Sequence, residues 1–71
     1  MITWNVGAVQ RWLTTNLGLP EIGQNAAIQG VDGATAIEME KADWRELGAS
    51  GVQSSRIMGG LKKKLRDEIN T

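Results

Sequence analysis

The 71-residue chain has no cysteine, no histidine, no tyrosine and no phenylalanine. Without cysteine there can be no disulfide framework, thiolate nucleophile or Cys-based zinc site. Without histidine the chain lacks the commonest general base and the commonest metal ligand, so the usual catalytic constellations cannot be assembled. No run of about 20 apolar residues is present to cross a bilayer. Charge of one sign does not prevail either: eight cations stand against eight anions. A zero balance gives no overall field to draw the molecule toward nucleic acid or an anionic membrane. The opening residues, Met-Ile-Thr-Trp-Asn, lack the charged start and apolar run of a secretory leader. The cytoplasm is the expected compartment, with the nucleus as the alternative.

What is present is ordinary for a folded domain: 41% hydrophobic and 23% charged residues, far from the composition of a disordered tail. The length allows one domain, residues 1–71 with a core over about 4–68. A chain this short buries only about 60% of its unfolded surface, which leaves little room for a deep internal active site. The apolar residues follow helical spacing. Val6, Val9, Leu13 and Leu17 form one stripe, with Asn5 placed to cap it and Trp12 widening it. A second helix is predicted from Pro20, with Ile22 and Ala26 one turn apart, ending before Gly30. Asp32-Gly33 reads as a turn, followed by a short helical turn over Ala34–Ile37 and a fourth helix over about Glu40–Leu47. Met58, Leu61, Leu65 and Ile69 mark a long last helix from about Val52 to about Asn70. Gly18 and Gly48, each following a leucine, read as left-handed caps. No segment alternates as a strand does.

The joint spacing resembles the sterile alpha motif (SAM) domain family across Trp4 to about Leu65. The residues that carry the resemblance are Trp4, Val9 and Trp12-Leu13, then Leu19, then Val31-Asp32-Gly33 with Ala36-Ile37 and Met39. Asp43-Trp44-Arg45-Glu46-Leu47-Gly48 and the apolar stripe of the last helix complete it. The fold this implies is an all-α, small five-helix bundle with a long C-terminal helix. Ile22 and Ala26 stand where the family carries Tyr and Phe, and Trp44 stands where it carries Leu. The expectation is that the Trp44 indole fills volume released by Ala26. The link between Gly48 and Ile57 is one residue shorter than in the family, which leaves the start of the last helix open.

The resemblance implies a protein-protein interaction module with two surfaces, one acidic around helices two to four and one at the N-terminus of helix five. The charges are polarised accordingly. Residues 1–50 hold three cations and six anions, whereas residues 51–71 hold five cations and two anions. Opposite patches on one chain suit head-to-tail self-association into an oligomer or open filament. The acidic candidates are Asp32, Glu38, Glu40 and Asp43. The facing candidates are Val52 as apolar plug, Ser54 and Ser55 as hydrogen-bond donors, and Arg56, with help from Lys62 or Lys63. Open alternatives are that Ser50 or Ser54 merely caps the helix and that Val52 packs inward. Pairing with another SAM domain or a different protein is the alternative to self-association.

Lys62-Lys63-Lys64 invites an RNA reading, but three consecutive helical residues fan over about 200°. Lys63–Asp67 and Lys64–Glu68 are i, i+4 pairs, and no exposed aromatic is evident for stacking. Nucleic acid is therefore disfavoured as a partner. Gly59-Gly60 within the last helix suggests close approach by another helix, the first being the candidate, with a hinge as the alternative. Trp4 and Trp12 are expected in the core. Glu38, Glu40 and Asp43 lie on what should be an open helical surface, where no burial raises a carboxylate pKa. No enzymatic activity, cofactor or metal is expected.

Overall fold

The computed structural model describes the backbone of residues 3–69 and the side chains of residues 3–67. Five α-helices occupy it, and no strand occurs among the described residues. Helix α1 (Val6–Arg11) runs directly into a π-helical turn (Trp12–Asn16). It is followed by α2 (Pro20–Ile28), α3 (Gly33–Glu38), α4 (Lys41–Glu46) and α5 (Gly51–Ile69). The 19-residue α5 is about 28 Å long, in a body measuring 32 × 22 × 20 Å. The architecture is thus an all-α bundle closed by a long C-terminal helix. The predicted end at Asn70 and the side chains of Glu68 and Ile69 lie outside the described residues.

Local chemistry explains the helix ends. The Asn5 side chain accepts from the Ala8 amide at 2.8 Å, capping α1. Pro20 opens α2, where its missing N–H costs nothing. Asp32 caps α3 by accepting from the Thr35 amide at 2.9 Å, so Asp32-Gly33 starts a helix rather than forming a separate turn. Ser50 and Gln53 cap α5 reciprocally. The Gln53 amide donates to Ser50 Oγ at 3.1 Å, and the Ser50 amide donates to Gln53 Oε1 at 2.9 Å. This pair fixes the start of α5 at Gly51, one residue before the expected one.

After α4 the chain closes as a Schellman motif: the Gly48 amide donates to the Arg45 carbonyl and the Ala49 amide to the Trp44 carbonyl, with Gly48 at φ 104°. At Gly18 the closure is one residue wider, the Leu19 amide reaching the Leu13 carbonyl at 2.9 Å, because the preceding turn is π rather than α.

The core comprises Val9, Trp12, Leu13, Leu19, Ile22, Ala26, Val31, Ala36, Trp44, Ala49, Ile57 and Leu61. Of the first stripe, Val9 and Leu13 are buried and Val6 and Leu17 half-buried. In α5 the buried row is Ser54, Ile57 and Leu61, while Met58 and Leu65 border it. Helix α1 packs on α2 and α3, and α5 packs on α4 and α3. Gly60 of α5 sits against the Trp12 ring, as the close-approach reading of Gly59-Gly60 expected, whereas Gly59 faces open space. A second close approach was not foreseen. A Cβ on Gly23 would meet the Gln10 carbonyl oxygen at 3.0 Å, so α2 lies tight against α1 there.

Candidate functional site

Helix geometry sorts the candidates at the start of α5. Each residue turns the helix by about 100°, so Val52, Arg56 and Lys63 fall on nearly one line. All three are exposed, Val52 by 73%, which excludes the inward packing of Val52. Ser55 stands beside them, exposed, its hydroxyl donating to the Gly51 carbonyl at 3.1 Å. Ser54 does not belong to this face and its expected donor role is corrected. It lies about 200° around the helix from Val52, is fully buried, and its Oγ has no hydrogen-bond partner among the described residues. The capping role falls to Ser50 instead.

Arg56 has an intramolecular partner. Its guanidinium donates to the Leu17 carbonyl at 3.2 Å, tying α5 to the end of the π turn. The bond uses one of five N–H groups.

The acidic candidates are spread over α3 and α4. Asp32 caps α3, and its carboxyl is held below the usual aspartate range by the hydrogen bond from the Thr35 amide, then by the Thr35 side chain. Asp43 accepts from the Glu40 amide at 2.9 Å, which stabilises the first turn of α4. Glu38, Glu40 and Asp43 are all exposed. Among the described residues no three such carboxylates converge tightly enough to hold a metal ion.

Two features went unseen in the sequence. Ile28, at the end of α2, is 71% exposed and joins Val52 as a large apolar side chain in water. It lies two residues past Ala26, off the buried stripe, which is the signal that could have found it. The second is an open cleft of about 330 Å³ between α1 and α5, lined by Trp4, Arg11, Trp12, Asn16 and Lys64. No helix among the described residues is long and apolar enough to cross a membrane. Comparison with family models, curated proteins and solved structures finds no match.

Proposed function

We propose that this chain is a SAM-type interaction module that self-associates head to tail. It works by binding, without catalysis or a cofactor, in the cytoplasm or nucleus. The observation that carries the reading is Val52. A large apolar side chain stands in water on the first turn of the long helix, in line with Arg56 and Lys63. An apolar centre ringed by polar and cationic groups is the composition of a contact's hot spot and rim.

The complementary surface comprises Glu38, Glu40 and Asp43, with Asp32 at its edge. Ile28 supplies an apolar residue in the same half of the chain. Arg56, already oriented by the Leu17 carbonyl, meets a carboxylate of the next copy with less ordering cost than a loose side chain would. Because the two surfaces differ, the contact is heterologous: copies add in one direction and close into a ring or extend as a filament.

Light scattering across concentration and salt tests this. Mass grows with concentration at low salt and shrinks at high salt as the charges are screened. Glu40→Arg and Arg56→Glu each stop growth, and their mixture stops at a capped dimer. Arg56→Glu also loses the bond to Leu17, so Val52→Asp, at a side chain that is 73% exposed, is the cleaner block. A monomer at high micromolar concentration and low salt overturns self-association and puts a different protein partner in its place. A gel shift with an RNA hairpin at physiological salt replaces both with RNA binding.

A further inference from the structure

The cleft between α1 and α5 combines features that the self-association surface does not use. Arg11 comes from the last turn of α1, and Trp12 and Asn16 stand at the two ends of the π turn. Lys64 comes from α5, one turn beyond Gly60. Because Gly60 lets α5 descend onto the Trp12 ring, Lys64 is brought to the tryptophan pair and is itself half-buried. Trp4 completes the wall. Its ring meets that of Trp12 edge-on, with centroids 6.2 Å apart and planes at 61°, and its carbonyl accepts from the Gly33 amide at 2.9 Å. The backbone of Trp4 is thereby held, and part of its side chain remains open to solvent.

Two cations from different elements, a side-chain amide and a partly open indole share one cleft of about 330 Å³, and among the described residues no carboxylate lines it. That volume is at the low end of small-molecule sites, about 300–1,000 Å³. The geometry points to a binding site for an organic phosphate that carries a planar ring, with a mononucleotide as the ligand class. Arg11 and Lys64 hold the phosphate through charge-assisted hydrogen bonds. The Trp4 indole packs the ring, and Asn16 can both donate to and accept from the ligand's polar edge. A single nucleotide is favoured over a nucleic-acid strand because the chain carries no net charge, and strand binding draws on many phosphate contacts. Lys64 lies about 120° around α5 from Val52, so the cleft and the Val52 face look in different directions.

The test is a titration of the full chain with adenosine monophosphate at low salt, followed by the indole N–H signals of the three tryptophans. The signals of Trp4 and Trp12 move, while that of the fully buried Trp44 stays in place. Arg11→Gln and Lys64→Gln each weaken binding by about tenfold or more, with helix content unchanged by circular dichroism. Val52→Asp leaves binding unchanged. No movement of the Trp4 and Trp12 signals overturns the proposal. So does equal binding of inorganic phosphate, which would leave the indole without a role. An oligonucleotide of single-stranded RNA that binds a hundredfold tighter than the mononucleotide overturns the single-nucleotide reading in favour of a strand.

Discussion

A Cβ built on Gly60 would stand 2.7 Å from Cζ2 of Trp12, closer than carbon atoms can pack without movement. The neighbouring Gly59 would meet nothing within 4 Å. The two glycines of one helical turn thus have opposite roles. Gly59→Ala gains helix propensity and stabilises by about 1 kcal/mol. Gly60→Ala gains the same propensity but must displace the Trp12 ring, and overpacking costs about 1–3 kcal/mol. The expected result is a higher melting temperature for Gly59→Ala and an unchanged or lower one for Gly60→Ala, about 4–8 °C apart per kcal/mol in a domain of this size. If both variants rise together, the close approach of α5 to Trp12 is wrong.

Where the sequence spoke through period and caps, the structure follows it. Asn5, Pro20, Gly18 and Gly48 signal the ends of their elements through local chemistry alone. What the pattern could not carry depends on three dimensions. Serine is ordinarily a surface residue, so Ser54 reads as a donor until its place in the row with Ile57 and Leu61 is noticed. The π turn has no sequence signature, yet it widens the closure at Gly18 and gives Arg56 a carbonyl at Leu17 to hold. Gly23 and Gly60 are both helix-interior glycines. Only the positions of Gln10 and Trp12 reveal that the missing side chains admit a neighbour. The cleft escaped notice for the same reason, because Arg11 and Lys64 are far apart in the chain and line one cleft only once α5 lies against Trp12.

Ser54→Ala separates the buried row from the exposed face. Its hydroxyl is buried without a partner among the described residues. Such a group carries a desolvation cost that its removal relieves, and alanine is the better helix former. The variant should be more stable by about 0.5–1 kcal/mol, measured by urea denaturation. Its mass in light scattering should match the parent at every concentration. A loss of stability would mean that the hydroxyl has a partner in the core, and a changed mass would return Ser54 to the interaction surface.

Trp44 and Ala26 are both fully buried in one core cluster, and the expectation that the indole occupies space given up at Ala26 can be tested by exchange. Trp44→Leu should cost about 2–4 kcal/mol from lost contacts and residual cavity. The indole Nε1 has no hydrogen-bond partner among the described residues, so its loss does not add to that cost. Enlarging the other side with Ala26→Leu should overpack the parent but restore part of the stability of Trp44→Leu. Residues that share one cavity couple by about 0.5–3 kcal/mol in such a cycle. An unchanged melting temperature in Trp44→Leu, or strict additivity of the two changes, removes the idea of shared volume.

Asp32 makes the fold sensitive to acid in a predictable direction. The Thr35 amide and side chain stabilise its charged form and lower its pKa in the folded state. A group whose folded pKa is depressed contributes stability above the unfolded pKa, and that contribution is lost as pH falls through the folded value. The melting temperature should therefore be steady near neutrality and decline from about pH 5 downward. Asp32→Asn keeps a capping oxygen for the Thr35 amide but no longer titrates. At neutral pH it should melt slightly below the parent, because the α3 N-terminus favours a negative charge. The two curves should converge as the parent carboxylate takes up its proton. Asp32→Ala, which removes the cap at every pH, should stay below Asp32→Asn throughout. A gap between parent and Asp32→Asn that keeps the same width down to acid pH would place the stabilising effect in something other than this charge.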